Sequence, residues 1–133
     1  MSDRDILFEY RAEQAKTTLI EAEKMLRQDF SPRSIINRAY YAMFYMVLAL
    51  FLKTGTAAKS SKHSGTLGIF DKEFILTGKI DKEYSRMIHR MFDRRIDFDY
   101  KEFARTDIKE AGIAVDCANK FVAEIDRFIQ QSL

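Results

Sequence analysis

Residues 39 to 52 read AYYAMFYMVLALFL, fourteen consecutive positions without a charge. At 1.5 Å per residue the run makes about 21 Å of helix, short of a bilayer core of roughly 30 Å. A helix that is apolar on every side has to be buried on every side. The run therefore predicts a central helix, covered by the rest of its own chain and in part by a second subunit. The other residues must wrap it.

They carry the patterns to do so. In the first stretch Phe8, Ala12, Ala15, Leu19, Ala22 and Leu26 follow at alternating steps of four and three. Glu13, Lys16, Glu23, Lys24 and Arg27 fill the other faces, which predicts a helix over about 4–28. Asp29-Phe30-Ser31-Pro32 stops it and starts the central helix, with Ser31 as cap and Pro32 at the first helical position. Residues 53–61 (KTGTAAKSS) are small, polar and unpatterned, and read as a mobile loop. A shorter helix follows over about 63–77, with Leu67, Phe70 and Phe74 inward and Gly78 at its end. Asp81 caps a fourth helix on which Tyr84, Met87, Ile88, Met91 and Arg95 share one side. Periodicity is lost from Ile96 to Arg105. Thr106 then caps a last helix with the stripe Ile108, Ala111, Val115, Ala118, Val122, Ile125 and Ile129.

No segment alternates as a strand does, and one proline with five glycines is too few for a turn-rich sandwich. The predicted fold class is all-α: an up-and-down bundle of four to five helices, one domain over 1–133. Eleven Phe and six Tyr supply a core that needs no disulfide or metal staple. Cys117 is the single cysteine, lies off its helix stripe, and reads as a plain small side chain. The start, Met1-Ser2-Asp3-Arg4-Asp5, lacks the apolar run of a secretory signal. A cytoplasmic protein away from membranes is the expectation.

Twenty-two basic residues against twenty acidic ones argue against histone-like nucleic-acid binding but leave room for a local basic patch. Lys82, Arg86, Arg90 and Arg94 repeat every four residues and form a ridge, flanked by His89 and followed by Arg95. Such a ridge is either a solvated face laced with ion pairs, since Glu83 and Asp93 share its arc, or a contact surface for phosphates. Arg38 stands one turn into the apolar helix and, if half-buried, calls for an acidic partner on the fourth helix or in 97–102. Lys62-His63-Ser64-Gly65 opens a helix, where it could hold an anion or simply cap the helix itself. Tyr40, Tyr41, Phe44 and Tyr45 read as core. Neither His63 nor His89 has a Glu three residues before it, and no phosphate-binding glycine loop or paired cysteines occur. Asp97-Phe98-Asp99 has a spacing two metal-binding carboxylates could use, but no strand carries it. No metal and no cofactor is expected.

Several motifs stand in a fixed order: Ser34-x-x-x-Arg38-Ala39-Tyr40-Tyr41-Ala42-Met43-Phe44, Lys62-His63-Ser64-Gly65, Phe74-x-x-x-Gly78-Lys79-Ile80-Asp81, and Arg95-x-x-x-Asp99-Tyr100. Together they resemble the HEPN family (higher eukaryote and prokaryote nucleotide-binding domain), in its stand-alone prokaryotic branch, over about residues 5 to 130. The resemblance implies a dimeric helical bundle. It also implies a nucleotidyltransferase protein as partner, in toxin–antitoxin or related pairs. Many members are metal-independent ribonucleases with Arg, four to six residues, then His, often with Tyr two residues later.

Neither histidine here has an Arg at that spacing upstream; Arg94 is followed after four residues by Asp99, with Tyr100 next. A carboxylate with a pKa near 4 is a poor proton donor at neutral pH. The resemblance thus implies the fold and a phosphate-facing Arg rather than nuclease activity.

The expected function is binding of a nucleotide, an RNA or a nucleotidyltransferase partner through a groove lined by Arg90, Arg94, Arg95, Asp99 and Tyr100, with Arg86, His89 and Arg38 beside it. Two alternatives stand next to it. One is a metal-independent endoribonuclease that uses Arg94, Arg95, Asp99 and Tyr100; the other is a non-catalytic interaction module.

Overall fold

In a computed structural model, which describes residues 1–57 and 62–131, the charge-free run lies inside a helix that the other helices enclose. Five α-helices make up the architecture of the described residues: α1 (Asp3–Arg27), α2 (Pro32–Thr54), α3 (His63–Phe70), α4 (Lys82–Tyr100) and α5 (Ile108–Gln131). A π-helical turn, Asp71–Ile75, continues α3, and no strand occurs among the described residues. This is the all-α bundle the periodicities predict.

Several boundaries have a local cause. Ser2 and Asp5 form a reciprocal capping box on α1. The Ser31 side chain accepts from the Ser34 N–H, with Pro32 at the first position of α2. Gly55, at φ 72°, closes α2 in the left-handed region. Asp81 caps α4 by accepting from the Glu83 N–H. The expected loop is thus shorter at its start, because α2 runs to Thr54, and residues 58–61 of it lie outside the described residues.

Two boundaries differ from the pattern. The helix α4 continues through Ile96 to Tyr100. Asp97 holds Arg94 and Lys101 across one turn, and the guanidinium groups of Arg33 and Arg94 lie 5.2 and 4.6 Å from the ring centre of Phe98. Those interactions replace the missing apolar period. Asp107, not Thr106, caps α5: its carboxylate accepts from the Glu110 N–H at 2.8 Å, while the Thr106 hydroxyl donates to the Glu110 side chain. Ile108, expected inward, is half exposed as a result.

In α2, Tyr40, Met43, Met46 and Leu50 are wholly buried. Each large apolar side chain withdrawn from water contributes about 1.5–3 kcal/mol. By length and composition Pro32–Thr54 passes for a membrane span, but 67% of its apolar window is buried within the bundle, which is how a core helix behaves. Its own chain covers most of it; a row at Tyr41, Tyr45, Leu48 and Leu52 is only half-buried. An aromatic seam ties the short helix to the rest. Phe70 lies 6.1 Å from Phe74 and 5.9 Å from Phe121, and Phe74 stacks on Phe51.

Candidate nucleic-acid interface

The stripe that turns α4 toward α2 ends on a charge. Tyr84, Ile88 and Met91 are buried, and Arg95, one turn beyond Met91, meets the face of α2 instead of solvent. Its guanidinium donates from Nη1 to the Tyr41 hydroxyl at 2.9 Å. It lies 5.3 Å from the ring centre of Tyr40, 5.7 Å from that of Tyr41 and 5.6 Å from that of Phe92. Its Nε is buried and has no hydrogen-bond partner, so the aromatic faces are what stabilise the charge on that side. Nη2 has no partner among the described residues, and the side chain lines a cleft of about 530 Å³.

His63, the first residue of α3, sits against the same tyrosines. Its Nδ1 is 3.0 Å from the Tyr40 hydroxyl. Its ring stacks on Phe44 at 4.0 Å and meets Tyr41 edge-on at 5.6 Å. Burial, followed by the positive charge of Arg95, holds the His63 pKa below its ordinary value. Burial likewise pushes the Tyr40 hydroxyl well up, so it is a neutral phenol at any ordinary pH. No side chain caps the N-terminus of α3. His63 therefore serves neither as that cap nor as an exposed solvated group.

The cleft itself is bounded by α1, α2 and the end of α4. Arg33, Arg38 and Arg95 line it together with Glu21, Asp99 and Phe98. Arg33 is committed, donating to the backbone carbonyls of Phe98 and Ala104. Arg38 is half-buried yet forms no ion pair with any described residue, contrary to the acidic partner expected from the sequence. Glu21 and Asp99 share its cleft but stay beyond ion-pair range. A half-buried Arg in that state keeps its charge without a neutralising carboxylate among the described residues.

The remaining predicted residues fall in other places. Arg94, which the sequence places beside Arg95, turns to a different side of α4, toward α5. It donates to Glu110 at 2.6 and 2.9 Å, to Asp97 at 3.2 Å and to the Arg105 carbonyl at 2.8 Å. These bonds raise the Arg94 pKa and lower that of Glu110, the Arg94–Glu110 bond being the largest cause in both. Arg90 and Arg94 line a second cleft, between α4 and α5, while Arg95 and Asp99 line the first. The single groove expected from the sequence is two. Arg86 and Arg90 are exposed. His89 hydrogen-bonds Asp71 of the π-helical turn at 2.7 Å, and Ser85 donates to the same carboxylate. Tyr100 is 82% exposed. Asp97, the first carboxylate of the Asp-Phe-Asp spacing, is taken by Lys101 and Arg94. Among the described residues no three His, Cys, Asp or Glu side chains group as a metal site.

The helical period assigned Tyr40 and Tyr41 to the core and left His63 open between two roles. The local signal that could have marked them was a polar atom on an otherwise apolar helix. Tyr hydroxyls at the centre of a buried face need partners, and the unplaced Arg95 and His63 were available.

The chain that folds into this helical bundle matches a known family. The HEPN domain model matches residues 8–128, and the chain belongs to that family. The relatives narrow it further. A UPF0332 protein of Thermotoga maritima is 35% identical over 130 residues, 98% of this chain and 96% of that protein. A "putative toxin" of Methanocaldococcus jannaschii is 31% identical, covering 88% of this chain and 78% of the relative. A second protein of that organism with the same description is 34% identical, over 80% of this chain and 82% of its own length.

Proposed function

We propose that this HEPN protein binds the phosphate of an RNA or nucleotide in the cleft between α1, α2 and the end of α4, and does so without cleaving it. The observation that carries the reading is Arg38, half-buried in that cleft with no ion-pair partner, next to an Arg95 fixed by Tyr41. Two cations of this kind supply positioning contacts to phosphate oxygens. Cleavage has less support, because Arg94 is committed to Glu110 and Asp97, and Asp99 offers a carboxylate where a proton donor is needed.

Fluorescence anisotropy with a short labelled oligouridylate, titrated over a range of salt, tests this. Arg38→Ala should weaken binding and lower the salt slope by about one. Equal affinity and slope in the variant and the wild type would sink the assignment.

The toxin-named relatives favour a further element, a toxin-like role in the cytoplasm opposite a protein partner such as a nucleotidyltransferase. Exposed Ile6 and Tyr10 on α1, beside half-buried Tyr45 on α2, support a homodimer through that side. Sedimentation of the purified chain would read a single protomer mass if the homodimer reading were mistaken.

A further inference from the structure

We propose that His63 is a neutral hydrogen-bond donor to the ligand, and that with Arg95 and Arg38 it makes a track for consecutive internal phosphodiesters of a single-stranded oligonucleotide rather than a socket for a free mononucleotide. This rests on the reading of the Arg38–Arg95 cleft as a phosphate site.

The argument starts from the Tyr40 hydroxyl. Tyr40 is wholly buried, and its hydroxyl has one partner among the described residues, Nδ1 of His63 at 3.0 Å. A buried O–H left without an acceptor costs the desolvation of that group. If Nδ1 carried the proton, the Tyr40 hydrogen would have nowhere to go. Tyr40 therefore donates, Nδ1 accepts, and the imidazole proton sits on Nε2. Nε2 makes no hydrogen bond among the described residues and is not buried. The result is an N–H donor on a ring clamped by Phe44 and Tyr41, free to bond a ligand oxygen.

Its neighbourhood sets its charge. Among the described residues, the titratable and charged groups around the ring are Tyr40 and Tyr41 on α2, Arg95 on α4 and Lys62 next in the chain. None is an acid that would hold a proton on both nitrogens. The lowered pKa agrees, because burial and then the charge of Arg95 both favour the neutral imidazole.

Charge and geometry then select the ligand class. Both His63 and Arg95 rest on Tyr40 and Tyr41. The imidazole is centred 5.8 and 5.6 Å from those two rings, and the guanidinium carbon 5.3 and 5.7 Å. That pair offers one positive charge and one neutral donor, which matches the single negative charge of a phosphodiester. A terminal phosphate with two charges would be left half compensated. Arg38 lies three residues before Tyr41 on the same face of α2, so the next cation follows one turn along the helix. Donors brought by α2, α3 and α4 to one face of α2 suit a chain of phosphates.

Two substitutions separate this donor role from a structural one. Asn at 63 keeps a polar atom near Nδ1 for Tyr40 and has none at Nε2; Gln reaches toward the Nε2 position. With a labelled oligouridylate, His63→Asn should weaken binding about tenfold or more, whereas His63→Gln should recover most of the affinity. Free uridine monophosphate should compete poorly against the oligomer. Affinity should stay level from about pH 7 to 8.5, because a neutral imidazole does not titrate there.

Equal loss in the Asn and Gln variants, with unchanged helical circular dichroism, would overturn the donor assignment. So would wild-type affinity in His63→Asn, or a fall in affinity as the pH rises through 7. Monophosphate competing as well as the oligomer would overturn the track. In each of these cases Arg38-dependent binding survives, and with it the phosphate-site reading. No binding of the oligomer by the wild-type protein overturns both.

Discussion

Arg95 donates to the Tyr41 hydroxyl at 2.9 Å across 54 residues of sequence, and that bond joins the end of the α4 stripe to the half-buried edge of α2. Tyr41 orients Nη1, the rings of Tyr40 and Phe92 support the guanidinium, and Nη2 has no partner among the described residues. The same bond links the bundle's packing to its candidate site.

Tyr41→Phe removes the acceptor without changing the ring. Oligonucleotide affinity should fall about fivefold to tenfold, and stability by about 1 kcal/mol, the ordinary worth of one hydrogen bond. Anisotropy and urea unfolding on the same preparation read both quantities. An unchanged affinity would mean that Arg95 does not need Tyr41 to meet its ligand.

Arg94 and Arg95 are neighbours in sequence with opposite commitments. Arg94→Ala should lower stability by about 1 kcal/mol, since it breaks a two-bond but partly exposed contact to Glu110. It should leave oligonucleotide affinity within about twofold of wild type. Parallel binding curves for the Arg94→Ala and Arg95→Ala variants check this; equal losses would put Arg94 in the interface after all.

Glu110 gives that contact a pH dependence. Its carboxyl is held below the ordinary value of 4.5 by the Arg94 bond first, with the Thr106 hydroxyl assisting. A carboxylate with a depressed folded pKa contributes stability that is fully present above its unfolded pKa and is lost as pH falls through the folded one. Urea midpoints should therefore hold down to about pH 5 and decline below it. Glu110→Gln should flatten that decline. A decline as steep in the variant would assign it to other carboxylates.

Phe121 is wholly buried between Phe70 and Tyr84. Phe121→Ala should cost about 3–5 kcal/mol through lost transfer energy and the cavity left behind. Gly78, at φ 77°, has open space where a Cβ would stand. Gly78→Ala should cost only about 1 kcal/mol, from backbone strain alone. Thermal denaturation distinguishes the two sizes of effect.

The reading without cleavage has its own check. Incubation of a long RNA with the wild-type protein in EDTA should leave the RNA intact, with no difference from Arg95→Ala. Cleavage by the wild type alone would establish the endoribonuclease alternative and return Asp99 and Tyr100 to consideration as reacting groups.

Much of the bundle was legible without coordinates. The stripe Ala15, Leu19 and Ala22 is buried as its spacing predicts, and so are Leu67, Phe70 and Phe74. Helix stops and starts were readable where a local device made them: Ser31 with Pro32, Asp81, and Gly78 after the third helix. They were misread where the device was an interaction between distant residues. The turn from Asp97 to Tyr100 stays helical because Arg33, 65 residues away from Phe98, packs on its ring and bonds its carbonyl. The α5 cap is a local exception: Asp107 competed with Thr106 for it, and both signals are present in the sequence.

The candidate site divides along the same line. Composition and period determined that the chain is helical, that α2 is its core, and that a row of basic residues runs down α4, because those properties follow from each residue's place in its own helix. Which of those basic residues remains available for a ligand was decided by the tertiary structure. Arg94 and Arg95 differ by about 100° around one helix, which sends the first to Glu110 and the second to Tyr41. His63 meets Arg95 only because α3 packs its first residue onto Phe44 and Tyr40, the latter 23 positions earlier in the chain.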